Sequence, residues 1–483
     1  MEKIKKGFIY LLLIFSALTL LAHFTNMFIA IAFIGVIIFL ATKLNLPKFG
    51  LWLFIVALVM RCIVVLLIDS PIISDYRVMY DMASEISAGN LFAAADSHYM
   101  LVWGYQMGYT LFMTLIMMIS HGALLIKLVN CVFTALIVLF IYLIAKELTN
   151  QKVARIVGIL YMLFPFPLFL NTILSNQHIS SFMFLLAVYL LISKKTEAMN
   201  VFLKFFLIGL CLAIGNIIRP EAIVFLGAIF LYFVFTTKKV EIKNTVKKLL
   251  TLFITYLCIT TLTSFILTST GISPSGLDNT APLWKFTVGF NPENNGEYSE
   301  PVAQKFFSIS EEEQKDMLYD YTIGSLDTIP SLLLYKAQHF WLDGDMNYSL
   351  DYLNGKTVSI LGIAIPFDNI RTVLDNINQY YIYMIFILSL IAVFIKRKNM
   401  DNNQFLLAMI LLVYAGVYLL IEITPKYAYT PQIFLFLMSA YTIYYFMNHK
   451  FTLTEKKPLV LAKEKAVKEK RTSKKKSTSK KTK

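Results

Sequence analysis

The sequence predicts an all-α polytopic membrane protein of about twelve transmembrane helices. Three observations carry that reading. The 483 residues are 57% hydrophobic and only 15% charged, against roughly 45–50% and about 25% in soluble domains. The apolar residues fall in long unbroken runs, and a run of about 18 or more is the signature of a spanning helix. Lys and Arg gather in alternate short loops between the runs, as orientation in a membrane demands. Composition therefore excludes a soluble enzyme, a disordered chain and a disulfide-framed secreted domain.

At roughly 20 residues per crossing, the runs place helices at 8–23, 27–42, 50–68, 122–145, 156–170, 174–192, 202–218, 220–236, 249–268, 380–395, 404–421 and 430–446. Lys3, Lys5 and Lys6 precede the first run, which has no A-x-A cleavage site and reads as an uncleaved span. The loops 2–6, 43–48, 146–155, 194–204, 238–248 and 396–401 hold 19 basic and 5 acidic residues. That bias puts them in the cytoplasm. The run 106–120 is also apolar. As a crossing it would carry Lys146, Lys152 and Arg155 to the outside, so it reads as a helix lying in the outer interface.

This topology gives an N-terminal transmembrane module over 1–268, with a first outer loop at 69–121. The segment 269–379 is too long for a bare connector and is expected to fold as a small extracytoplasmic domain. Ser310 followed by Glu313 is a capping-box pattern there. C-terminal helices occupy 380–446. The Lys-, Ser- and Thr-rich tail 447–483 is expected to be disordered and cytoplasmic, like the N-terminus.

The net charge is +14 and the pI about 9.3. In a soluble chain that excess would suggest nucleic acid; here it is sorted across a membrane. The tail holds 14 basic and 3 acidic residues, and the two outer segments hold 7 basic and 20 acidic. The natural partner of the tail is the anionic inner leaflet. No nucleic-acid partner is implied.

Cys62, Cys131, Cys211 and Cys258 each sit in an apolar run without metal-ligand spacing, and read as small membrane-core residues. The His residues are scattered, with no zinc-binding pair. No Walker A loop or nucleophile elbow is present. Asp343-Gly344-Asp345 leaves a divalent metal open but unsupported, and no other cofactor is implied.

Polar groups held at a membrane edge are where function is best sought. Four clusters reach the outer face in this topology. In the first, Met79, Met82, Ala83 and Ile86 form an amphipathic stripe, preceded by Asp75. Asp75 reads either as the cap of that helix or as a general base at the lipid–water boundary. Tyr76, Arg77 and Tyr80 accompany it. The second runs from Trp103 through Tyr105 and Gln106 to Tyr109, as belt aromatics or a pocket wall. The third is Asn216 to Glu221, where Arg219 and Glu221 either pair across a helix hairpin or present a cation to a lipid phosphate. The fourth is Glu422 to Pro431, with Lys426 as a phosphate candidate or a snorkelling side chain, flanked by Tyr427 and Tyr429. His178 opens a span at the outer face and is a further pocket candidate.

The ordered set resembles the glycosyltransferase C superfamily, within it the bacterial dolichyl-phosphate-mannose-protein mannosyltransferase and aminoarabinose-transferase-like group. The resemblance rests on Ser74-Asp75 before the amphipathic helix ending at Ala88-Gly89. It continues in Tyr105 to Leu111, His121-Gly122, Lys127 to Asn130, Ala145 to Leu148, Pro165, Ile218 to Ala222 and Pro425 to Pro431. It covers about 50–240 well and 400–446 fairly; 269–379 matches only in position. It implies transfer of a sugar from a polyprenyl-phosphate carrier, such as undecaprenyl phosphate, at the outer face of a bacterial plasma membrane. The acceptor would be a cell-envelope polysaccharide, lipid or protein. The Lys-, Ile- and Asn-leaning composition fits a low-GC Gram-positive source, where teichoic acid would be such an acceptor.

On this resemblance Asp75 is the base, and Arg219, Lys426, Arg77 and Tyr427 bind the lipid phosphate. Tyr76, Tyr80, Tyr105, Gln106, His178, Glu221 and Tyr429 line the substrate pocket. Two departures stand out. Relatives often carry two adjacent acids where this chain has Ser74-Asp75, and a second-loop Lys-Pro-Pro where it has Tyr105-Gln106. A lipid-linked glycan polymerase or ligase fits the same layout. A flippase or secondary transporter would want charge in mid-span, where only Arg61 and Lys127 break the apolar pattern.

Overall fold

The computed structural model describes residues 2–20, 35, 41, 46–360 and 362–448. Most of the expected span 27–42 and of the tail 447–483 lies outside the described residues. The other expected runs are helical: Glu2–Leu20, Phe49–Leu67, Ala123–Leu148, Gln177–Ile192, Val201–Ile218, Ala222–Thr236, Ile242–Ser269, Phe367–Lys396, Asn402–Leu420 and Tyr429–Asn448. Among the described residues, six helices are long and apolar enough to cross a membrane: Phe49–Leu67, Ala123–Leu148, Val201–Ile218, Lys239–Ser269, Phe367–Lys396 and Asn402–Leu420. The chain is thus that of a multi-pass membrane protein, and the described residues alone hold fewer full-length spans than the twelve expected.

The shortfall has local causes. The run 156–170 is not one straight span: Gln151–Met162 and Pro165–Thr172 meet at 56°. Pro165 and Pro167 lack the backbone N–H a continuing helix needs, and Phe164 before them is extended (φ −67, ψ 120). Counted as one broken span, the pair makes a seventh. The runs 174–192 and 220–236 give helices of 16 and 15 residues. At 1.5 Å per residue each falls short of the roughly 30 Å hydrocarbon layer. The run 106–120 forms the 11-residue helix Met107–Met117, too short to cross. It packs against the amphipathic helix Ser74–Ser87 and against Val201–Ile218.

The bundle is built from neighbouring helix pairs. Ala123–Leu148 packs on Phe49–Leu67, Gln151–Met162 and Gln177–Ile192; Val201–Ile218 packs on Gln177–Ile192 and Ile242–Ser269. Gly209 allows the last contact, because its Cα lies against the Leu252 carbonyl and Thr255 with no space for a side chain. Small residues let helix backbones approach where lipid gives no hydrophobic drive.

The segment 269–379 has a small core of its own. Trp284, Val288, Val302, Ala303, Phe306 and Met317 form it, and Trp103 of the segment 69–121 packs against it. The capping box is formed: the Ser310 amide donates to the Glu313 carboxylate at 2.8 Å, and the Glu313 amide donates to Ser310 Oγ at 3.4 Å. The segment also enters the bundle. Its helix Ile329–Leu342 packs against Glu2–Leu20, Phe367–Lys396 and Asn402–Leu420. Phe340 stacks on Tyr418 at 4.2 Å. Buried Lys336 donates to the carbonyls of Gly289, Leu419 and Ile421 at 2.8, 2.9 and 2.8 Å. These bonds occupy all three ammonium donors and cap the end of the Asn402–Leu420 helix.

Two details depart from expectation. An antiparallel hairpin, Thr357–Ile360 with Ile363–Pro366, interrupts the all-α pattern. The helix expected from 380 starts at Phe367, because its polar first turns lie along the outer segment rather than in an apolar run.

Candidate functional site

The segment 69–121 supplies a carboxylate. Helix Ser74–Ser87 buries Tyr76, Met79, Met82, Ala83 and Ile86, the stripe its sequence spacing requires. It starts earlier than that stripe suggested, so Asp75 lies inside its first turn rather than at or before the cap. Ser74 takes a left-handed conformation (φ +55), uncommon for a residue with a side chain. Asp75 is exposed, and among the described residues it makes no hydrogen bond or ion pair. The free N–H groups of the first helical turn favour its charge.

The loop before the last helix supplies a cation. Its backbone is pinned on both sides. The Glu422 amide donates to the Lys285 carbonyl at 2.8 Å, and the Ile423 amide to the Gly296 carbonyl at 2.9 Å. Gln177 Nε2 donates to the Lys426 carbonyl at 2.6 Å. The Lys426 ammonium then lies 4.1 Å from the Tyr348 ring centre, 5.5 Å from Tyr76 and 6.0 Å from Tyr427. It has no hydrogen bond or ion pair among the described residues. Burial opposes its charge, but the oxygens of Tyr76, Tyr427 and Tyr348 and the Asp75 carboxylate outweigh burial, and its pKa is raised.

Two further cations meet at Tyr427. Arg219 follows helix Val201–Ile218, and its guanidinium lies 4.9 Å over the Tyr427 ring. Arg219 Nε is bonded to Glu221, and Nη1 donates to Asn176 Oδ1 at 3.2 Å. Glu221 also accepts from the Tyr414 hydroxyl at 2.9 Å. Burial lowers the Arg219 pKa and the Glu221 carboxylate more than offsets it, so the net shift is upward. Lys285, from the segment 269–379, pairs with buried Glu422. Its ammonium lies 5.8 Å from the Tyr427 ring and 5.9 Å from Trp103. Three cations thus surround one phenol, and Arg219 and Lys285 have carboxylate partners while Lys426 has none among the described residues.

The remaining residues singled out from the sequence divide clearly. Tyr76 is brought to the cluster, edge-on to Tyr348 at 5.7 Å. Tyr105 lies edge-on to Trp103 at 6.1 Å. Burial pushes its phenol up to about 12, with Lys285 acting against the shift. Gln106 bonds the Tyr99 hydroxyl at 3.2 Å and Asn176 at 3.3 Å, and so supports the Arg219 partner. Arg77 is not brought in: it is 60% exposed and held by Asp81 at 2.7 Å, one helical turn on. Tyr80 packs partly buried against the bundle core. His178 is fully buried, with Nδ1 against the Tyr429 hydroxyl at 3.1 Å and Nε2 against the Leu170 carbonyl at 3.2 Å. His178 and Tyr429 thus lie in the bundle core.

Asp343 and Asp345 diverge. Asp343 bonds His339 at 2.5 Å, whereas Asp345 accepts from the Asn347 amide at 3.0 Å. Gly344 lies against the Asn378 amide with no space for a side chain, which fixes the turn between them. Among the described residues no three His, Cys, Asp or Glu side chains gather as metal ligands.

Sequence reasoning overlooked Lys285 and Tyr348. The available signal was a lysine set between Trp284 and Phe286. Chemically, the arrangement sets one cation, without a carboxylate partner among the described residues, against aromatic rings and beside two carboxylate-paired cations.

Residues 107–264 match the family model for dolichyl-phosphate-mannose-protein mannosyltransferase. The matched stretch includes Arg219, Glu221 and His178, and Asp75, Lys285 and Lys426 lie outside it. The match supports the resemblance to the glycosyltransferase C superfamily and to mannosyltransferase-type glycosyltransferases. No curated protein matches the chain.

Proposed function

We propose that this protein is an integral membrane glycosyltransferase. It takes a sugar from a polyprenyl-phosphate carrier, undecaprenyl phosphate in a bacterium, and passes it to a cell-envelope acceptor on the outer face of the plasma membrane. Teichoic acid, another polysaccharide, a lipid or a protein are the acceptor classes. One observation supports this above the others: the three-cation cluster at Tyr427, in which Lys426 has no carboxylate partner among the described residues.

In the proposed reaction the donor phosphate sits on Lys426, with Arg219 and Lys285 behind it. Asp75 removes the acceptor hydroxyl proton. The acceptor oxygen attacks the anomeric carbon from the face opposite the phosphate. The carbon–oxygen bond to phosphate breaks, its electron pair goes to the phosphate oxygen, and the configuration inverts. The leaving phosphate gains one negative charge, which the clustered cations stabilise. Asp75, now protonated, returns its proton to water.

The test uses the purified full chain in lipid nanodiscs with undecaprenyl-phosphate sugars and cell-envelope acceptors. Transfer with inversion at the anomeric carbon is expected. Solute transport without any glycosyl transfer would refute the reading.

A further inference from the structure

We infer that Lys336 is a positioning residue, whose ammonium fixes the loop that carries Lys426 against the helix that carries Lys285. The inference rests on the glycosyl-transfer reading above and deepens it.

Lys336 is 1% exposed. A buried ammonium needs an acceptor for each of its three donors, and backbone carbonyls supply all three. Two of them, Leu419 and Ile421, lie at the C-terminal end of helix Asn402–Leu420, where a cation suits the helix dipole. The third, Gly289, does not belong to that helix. It ends helix Trp284–Gly289, which carries Lys285. A cap alone needs no bond to Gly289. The ammonium therefore sits on a seam between two segments far apart in the chain.

The rest of the seam shows what that bond holds. Gly289 meets Ile421 so closely that an added side-chain carbon would lie 2.4 Å from the Ile421 carbonyl carbon. The Glu422 and Ile423 amides donate to the Lys285 and Gly296 carbonyls, and the Lys336 stem passes close to Gly296. Lys285 then pairs with Glu422, and Lys426 follows in the same loop. The helix of Lys336, Ile329–Leu342, itself packs on Pro425–Ala428. Its Phe340 stacks on Tyr418, whose ring centre lies 6.0 Å from that of Tyr427. Lys336 thus stands behind the cation cluster and acts on it through the backbone. A methionine in its place would leave three buried carbonyls without donors and free the loop to shift against Lys285.

The experiment is a double-variant cycle on the full chain in lipid nanodiscs, with undecaprenyl-phosphate sugars as donors. Lys336→Met should lower kcat/KM for the donor by roughly tenfold to a hundredfold, the cost of displacing a charged group by about 1 Å. The donor KM should rise and the acceptor KM stay unchanged. Loss of folded enzyme alone would lower kcat and leave both KM values as they are. In a Lys426→Met background the same change should cost less than about threefold, because the group it positions is gone. Lys336→Gln keeps two N–H donors and should fall between wild type and Lys336→Met. It takes the place of Lys336→Met in the cycle if thermal melts show that variant to be unfolded. Equal losses in the two backgrounds, or an unchanged donor KM, overturn the inference alone. A wild type that transfers no sugar removes the glycosyl-transfer reading, and this inference with it.

Discussion

The ammonium of Lys426 lies 4.1 Å from the centre of the Tyr348 ring, and the two residues come from opposite sides of the site. Lys426 belongs to the loop before helix Tyr429–Asn448 and Tyr348 to the segment 269–379. Tyr76 of the segment 69–121 completes the wall. A cation held by aromatic faces, with no carboxylate partner among the described residues, is suited to pair with an incoming anion.

Lys426→Met is predicted to lower kcat/KM by about 10²–10³, the usual loss for one donor to a developing charge. Lys426→Arg should recover part of it. Steady-state kinetics on a polyprenyl-phosphate sugar decide the matter, and unchanged kcat/KM in Lys426→Met would remove Lys426 from the site.

Asp75→Asn is predicted to lower kcat by about 10²–10⁴, the worth of a general base. Its melting temperature should stay near that of wild type, because Asp75 is exposed and makes no hydrogen bond or ion pair among the described residues. Normal turnover would show that another group takes the proton.

Lys285→Met leaves Glu422, which is 4% exposed, as an unpaired buried carboxylate. A loss of about 3–5 kcal/mol is expected. The double variant Lys285→Met/Glu422→Gln should regain most of that stability and remain poor in turnover. Thermal or denaturant unfolding of the single and double variants separates the two effects. Equal stability of Lys285→Met and wild type would contradict the buried-pair argument.

His339 carries a small pH dependence of stability. Its bond to Asp343 raises its pKa above 6.5, against a smaller opposing effect of burial. A raised folded-state pKa means that the bonded His339 binds its proton more tightly than the unfolded chain does. The stabilisation is therefore complete below about pH 6.5 and is lost as pH rises through the folded-state value. His339→Gln should flatten the melting temperature between pH 6 and pH 9 relative to wild type. A wild-type melting temperature that rises over that range would contradict the sign.

Orientation can be read directly. Asp75→Cys in a cysteine-free background should react with a membrane-impermeant maleimide from outside intact cells. Labelling from the cytoplasmic side alone would invert the topology and remove the site from the outer face.

What the sequence determined by itself is local. Apolar runs and alternating basic loops identified a polytopic membrane protein. The methionine and isoleucine spacing identified the amphipathic helix after Asp75, and Ser310 with Glu313 marked a helix start. Each signal lies within one stretch of chain, where hydrophobic period or cap chemistry is legible. Arg219, Lys426 and Tyr427 were also legible, because charge beside an apolar run stands out. Tertiary structure decided which of these residues meet. It put Arg77 on the solvent side with Asp81, set His178 between Tyr429 and Leu170, and carried Lys285 and Tyr348 in from the segment 269–379. The physical reason is that pairing across segments depends on distances between residues far apart in the chain. A lone Lys in an aromatic stretch looks the same whether it faces water or a buried Glu422. Only the packing of that stretch onto the loop at Tyr427 distinguishes the two.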